Sequence, residues 1–215
     1  MANLNMIASI RLVIIPGGYK VSMKLILPLL LLAIALVFSP AYCAESQPTK
    51  VENVSDRFIP SGYMGDIGDI SLNEHSANNP YSGPECIEIL YSADVSSGAG
   101  WAGIYWQYPG NNWGDYPGWK DVFTGAKRLT FWARGVNGEE AAEFKMGGIS
   151  GTNSDSVRPA KTTGVLTLSK DWKEYSIDLT DKDLSHVIGG FCWVTNKMGN
   201  PSGCTIYLDD IRYEW

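Results

Sequence analysis

Between Phe58 and Trp215 the chain never sustains an apolar repeat of helical period. It runs instead in short stretches of alternating apolar and polar residues, each closed off by Gly, Pro or Asn. Side chains alternate between the two faces of a strand, whereas a helix needs apolar residues three and four apart, so this rhythm excludes a helical bundle and an α/β fold. With 23 Gly, 8 Trp and 11 Tyr in 215 residues, the expected fold class is all-β: a two-sheet antiparallel sandwich of jelly-roll type. Strands are expected at 86–91, 101–108, 128–134, 141–149, 164–168, 172–179, 187–195 and 204–213. One short helical turn is expected at 181–187, DKDLSHV.

The first part of the chain reads differently. Met23-Lys24 followed by LILPLLLLAIALVF has the form of a secretory signal peptide, one positive charge and then an apolar run. A small-residue cleavage site follows at Ser39–Ala41 or Ala41–Cys43. The run is shorter than the ~20 residues of a spanning helix, which favours cleavage over a membrane anchor. Residues 1–22 read as an upstream start. Cys43 lacks the small residue expected just before a lipidated cysteine. The expected organisation is therefore 1–44 removed, 45–55 a flexible leader and 56–215 one domain, exported to the periplasm or the medium. In that oxidising setting Cys86, Cys192 and Cys204 remain. Cys192 and Cys204 flank the turn-rich NKMGNPSG, which allows either a disulfide across a hairpin or a buried thiol on each strand.

Charge limits the partner. Of 17 Lys and Arg, Arg11, Lys20 and Lys24 precede Glu45, so the remainder carries 14 against 23 acidic residues, a formal −9. No basic stripe offsets this, which excludes nucleic acid. A neutral glycan or a bound cation suits the surface better.

The aromatic residues concentrate in WAGIYWQYPGNNWGDYPGW, residues 101–119, where four tryptophans alternate with Tyr105, Tyr108 and Tyr116 beside Gln107, Asn111, Asn112 and Asp115. Rings that stack on sugar faces, next to amides that bond hydroxyls, are the chemistry of glycan recognition. Alternation then sorts the strands. Ala102, Ile104 and Trp106 form an apolar set against Trp101, Gly103, Tyr105 and Gln107. Leu129, Phe131 and Ala133 oppose Thr130, Trp132 and Arg134, and Phe144 and Met146 oppose Glu143 and Lys145. If these strands are neighbours, Tyr105, Gln107, Trp132, Arg134, Glu143 and Lys145 make one polar-aromatic groove, with Asn112 and Trp113 at its rim. Trp193 joins it if Cys192 and Val194 face inward, which the alternation in GGFCWVTN does not decide. The same polar residues could equally be cross-strand ion pairs on a solvated sheet.

The segments LTFWARG, EFKMGGI, WKEYSIDLT, VIGGFCWV and IYLDDIRYE together resemble carbohydrate-binding modules of the jelly-roll, galactose-binding-like type, over roughly residues 56–215. The resemblance implies a sugar site on a sheet face or in the loops at one end. It also implies a structural calcium ion tying the start of the domain to its last strand, with Asp210 and Asp66 foremost and Asp69, Glu74 and Asp209 beside them. The expected function is non-catalytic binding of an oligo- or polysaccharide, with no membrane contact once the leader is removed. Two other readings follow from the residues and the resemblance: a scaffold of this fold that binds another protein, and a jelly-roll glycosidase using Glu88 and Glu143 on one face. No zinc-spaced His/Cys cluster, Gly-x-Ser-x-Gly elbow or phosphate loop is present.

Overall fold

A computed structural model describes residues 50–215. The alternating stretches pair into two antiparallel sheets. Sheet A has the order β10 (Lys173–Asp178), β7 (Arg128–Gly135), β13 (Cys204–Glu214), β4 (Cys86–Tyr91) and β3 (Ile70–Ser76), with β1 (Val51–Asn53) also pairing β13. Sheet B has the order β2 (Ile59–Gly65), β5 (Trp101–Gln107), β12 (Gly189–Asn196), β8 (Ala141–Met146) and β9 (Lys161–Thr167). A two-stranded ribbon joins β6 (Trp119–Lys120) to β11 (His186–Val187).

The longest strand, β13, organises sheet A. Along one edge it pairs β7. Along the other it pairs β4 from Cys204 to Leu208 and β1 from Arg212 to Glu214. The register shifts between Asp209 and Arg212, where Asp210 takes φ 46°. This bulge separates the two partners on that edge.

Between the sheets lies a core of rings. Phe131 of sheet A meets Phe144 at 4.5 Å and Phe191 at 5.3 Å, and Phe191 also packs edge-on against Trp106 at 5.3 Å. Each such side chain contributes about 1.5–3 kcal/mol by leaving water. The Tyr213 hydroxyl donates to the Gly190 carbonyl across the sandwich at 2.6 Å.

All eight expected strands are present, and the all-β sandwich is as expected. The structure differs from the sequence reading at three places. Val51–Asn53 pair with β13 and Val54 is buried, so the fold starts ahead of residue 56. Residues 1–49, with the signal segment and Cys43, lie outside the described residues. The stretch 181–187 forms no helix. Asp181 sits at φ 58° and the Ser185 amide bonds the Asp183 carboxylate, so local side-chain bonds make a turn that leads into β11. Finally, β12 and β13 do not form a hairpin. The NKMGNPSG segment crosses from sheet B to sheet A, and Cys86, Cys192 and Cys204 are free buried thiols.

Candidate functional site

The expected groove does not assemble on one sheet. Trp132 and Arg134 lie on the outer face of sheet A, opposite Asp209 and Tyr207 of β13. Tyr105, Gln107, Glu143 and Lys145 lie on sheet B, where Cys192 of β12 pairs with both Tyr105 and Lys145. Period-two alternation sorted each strand correctly, but the topology sends β7 to the other sheet. Trp193 is no part of any outer face. It pairs with Ile104 and Phe144, points inward and is 0% exposed, so Cys192 and Val194 take the outward positions.

The outer face of sheet A is closed by its own chain. The connection between β3 and β4 folds back so that Tyr81 stacks on Trp132, with ring centroids 3.7 Å apart at 12°. Six hydrogen bonds pin it. The amides of Tyr81 and Ser82 donate to Asp209, the Ser82 hydroxyl to Asp210 and the Asn78 amide group to Glu88. Arg134 donates to the Asn78 carbonyl and the Trp172 indole to that of Asn79. The Arg134 guanidinium is held over Tyr207 at 3.9 Å and near Trp172 at 5.2 Å. Trp132 therefore already has a ring on its face.

The floor of the outer face of sheet B is a small apolar cluster of Tyr105, Cys192, Ile149 and Ile188, edged by Met64 and Val194. A Cβ on Gly103 would stand 2.8 Å from the Trp193 carbonyl oxygen and 3.1 Å from Met64 and Val194. Tyr105 lies in this floor, nearly buried, with its hydroxyl donating to the Gly147 carbonyl at 3.0 Å. Burial pushes its phenol well up, so it stays neutral. Beside it, Lys145 pairs with Glu143 at 3.0 Å, and the Thr162 hydroxyl donates to Glu143 at 2.5 Å. Burial alone would raise the Glu143 carboxyl, but Thr162 and Lys145 together hold it below the usual range, so it remains an acceptor.

At one end of this face stands Trp113, 41% exposed, its ring edge-on to Tyr105 at 6.0 Å. Two connections build this wall. In the β5–β6 loop the buried Asn112 side chain accepts the amides of Gly114, Asp115 and Tyr116 and donates to the carbonyls of Tyr108 and Tyr116. Gln107 donates to the Asn112 carbonyl beneath it. The β8–β9 connection packs alongside, because Gly114 and Gly151 have no side chains to keep them apart. Gln107 and Asn112 are thus buried supports for Trp113, with their hydrogen-bonding groups turned into the protein.

At the far end of β5, Trp101 is 38% exposed on the same face. Four residues of strand put it about 13 Å from Tyr105. Sequence reasoning placed Trp101 in the outward set without naming it for the site. Its alternation with Gly103 and Tyr105 was the available signal.

The acidic residues expected to hold calcium are engaged by hydrogen bonds of the chain itself. Calcium asks for six to eight oxygen donors with free lone pairs. The Asp66 carboxylate accepts the amides of Ser97, Ala99 and Gly100, and Asp69 accepts those of Val95 and Ser96. Burial pushes Asp66 up, but these amides outweigh it and hold the carboxyl below its ordinary value. Asp209 accepts three amides in turn, while Glu74 lines a separate cleft of about 440 Å³ beside Asp209 and Asp210. Through these bonds Asp66, Asp69 and Asp209 anchor the loops whose amides they accept. Among the described residues no three His, Cys, Asp or Glu side chains are placed to hold a metal ion. The glycosidase pair fails on topology too. Glu88 belongs to sheet A and Glu143 to sheet B, on opposite faces of the sandwich, and Glu143 lacks the raised carboxyl of a general acid.

Neither a protein-family model nor a curated protein matches the sequence. Among solved structures, a family 30 carbohydrate-binding module aligns with a TM-score of 0.51 at 15% identity, over 76% of this chain and 98% of that one. A family 11 module from Clostridium thermocellum in complex with a β-1,3-1,4-mixed-linked tetrasaccharide aligns at 0.49 and 13%, over 77% and 94% of the two chains. A family 61 module in complex with β-1,4-galactotriose aligns at 0.45 and 13%, over 75% and 91%. No described helix is long and apolar enough to cross a membrane. The described domain has the jelly-roll sandwich fold of a carbohydrate-binding module.

Proposed function

We propose that this domain is an exported, non-catalytic carbohydrate-binding module that holds a neutral glycan on the outer face of sheet B. The observation that carries the reading is Trp113: an exposed indole edge-on to Tyr105, with the Glu143–Lys145 pair on the same sheet face and the exposed Trp101 at the other end of β5. The two tryptophans offer stacking faces. Lys145 donates to hydroxyl oxygens, and Glu143 accepts from hydroxyl hydrogens. Each stacked ring contributes about 1 kcal/mol beyond burial, so affinity comes from several contacts along a chain. The fold supports the reading, as do the net acidic charge, which disfavours polyanions, and the leader at Met23–Phe38.

The test is binding of the purified domain to an array of neutral oligosaccharides, followed by Trp113→Ala and Trp132→Ala. Loss of binding in the first variant and retention in the second supports the site. An array with no bound glycan, or loss of binding only in the second variant, overturns it.

A further inference from the structure

The ring of His186 sits where the two connections behind Trp113 meet. Its Nε2 accepts the Gly118 amide at 2.8 Å, from the end of the loop that carries Trp113. Its Nδ1 lies 2.7 Å from the Ser154 carbonyl in the β8–β9 connection. An amide can only donate and a carbonyl can only accept, which fixes one neutral tautomer with hydrogen on Nδ1 and a lone pair on Nε2. One residue before Ser154, the Asn153 amide donates to the Gly114 carbonyl at 2.8 Å, immediately beside Trp113. The His186 main chain is held independently, through bonds between its amide and carbonyl and the Ser156 hydroxyl. The ring can therefore change state without its strand leaving.

We propose that His186 is a positioning residue for the Trp113 wall, and that it clasps the two loops only while its imidazole is neutral. Adding a proton to Nε2 turns the acceptor for Gly118 into a second donor facing an N–H. One hydrogen bond is lost and two hydrogens are set against each other, so Gly118 loses its tie to the ring while the Asn153 bonds to Gly114 and Asp115 still join the two connections. The inference rests on the proposed sugar site for its consequence, but not for its geometry.

Other charges surround the ring. Lys120 of β6 is its cross-strand partner, Asp183 precedes β11, and Asp115 lies on the Trp113 loop. Asp155, in the β8–β9 connection, accepts the amides of Ile149, Ile188 and Gly189. Burial raises the Asp155 carboxyl above its ordinary range despite these amides, so the test must separate it from His186. His186→Gln does so. Its amide can donate to Ser154 and accept from Gly118, and it carries no proton-dependent charge, while all four neighbours remain.

The experiment follows the Gly118 amide and the Trp113 indole N–H by NMR in the ligand-free protein, from about pH 8 to about pH 5. Both signals are expected to move together in the native protein and to stay fixed in His186→Gln. With a mixed-linkage β-glucan tetrasaccharide as probe, affinity is expected to weaken about fivefold over that range in the native protein, the equivalent of one hydrogen bond, and to stay level in the variant. A Trp113 signal that stays still while Gly118 titrates overturns the proposal, as does an equal response in His186→Gln. If the probe binds at neither pH, the failure falls on the sugar reading, and the ligand-free signals still judge the clasp.

Discussion

The two outer faces of this sandwich carry the same kinds of residue and use them in opposite ways. On sheet A, Trp132 and Arg134 are turned to a connection of the same chain, with Tyr81 on the indole and the Asn78 carbonyl on the guanidinium. On sheet B, Tyr105, Lys145 and Glu143 form a floor with Trp113 upright at its end and Ile149 of the β8–β9 connection packed against Tyr105. Polar-aromatic composition on a strand therefore does not identify a ligand surface. What distinguishes the two is how the ring is met: Tyr81 lies face-on over Trp132, whereas Trp113 meets Tyr105 edge-on and stays 41% exposed.

That contrast is sharpest in stability. Trp132→Ala removes a half-buried indole and leaves Tyr81 without its partner. It should cost about 2 kcal/mol in chemical denaturation while glycan binding is unchanged. Unaltered stability with lost binding would reverse the roles of the two faces. Trp113→Ala should do the converse, weakening glycan affinity about tenfold by calorimetry with no comparable loss of stability.

Acid titration probes the end of sheet A away from Tyr81. Burial pushes the Glu214 carboxyl up, but Arg128, Arg212 and Thr130 outweigh it and hold the carboxyl below its ordinary value. A depressed folded value means that this group stabilises the fold above the ordinary carboxylate range and ceases to do so as pH falls through the folded value. Melting temperature should therefore decline below about pH 4, and Glu214→Gln should decline less steeply over the same interval while starting lower. The smallest effect is expected from chelation. Since amides occupy Asp66, Asp69 and Asp209, EDTA should leave the melting temperature of the domain unchanged, and a clear drop would show a cation among these carboxylates.

The strands with clean alternation were legible in the sequence, because a pleated ribbon half in water imposes a period of two whatever it pairs with. Ile59–Gly65 and Ile70–Ser76 were not, because Pro60, Gly62, Asn73 and Glu74 interrupt the pattern at the two sheet edges, where one side of the strand faces solvent. Sheet membership was hidden for a different reason. Trp132 and Tyr105 look alike within their own strands, and only long-range pairing separates them. Trp193 shows the same limit, since GGFCWVTN offers apolar residues on both faces and its partners Ile104 and Phe144 decide the matter. The supporting roles of Gln107 and Asn112 were beyond reach too. A side-chain amide bonds a sugar hydroxyl and a backbone carbonyl equally well.

The three thiols give the molecule a set of internal clocks. Burial lifts Cys86 to about 11 and Cys204 to about 12, and lifts Cys192 higher still, so none is an appreciable thiolate near neutrality while the domain stays folded. Alkylation must then wait for an opening event, and the positions divide the events. Cys86 and Cys204 head strands β4 and β13 of sheet A, and Cys192 lies mid-strand in sheet B, buried beside Tyr105 in the proposed ligand floor. The relative labelling rates would report which half of the sandwich loosens first, and a bound glycan would slow one clock and leave the other two running.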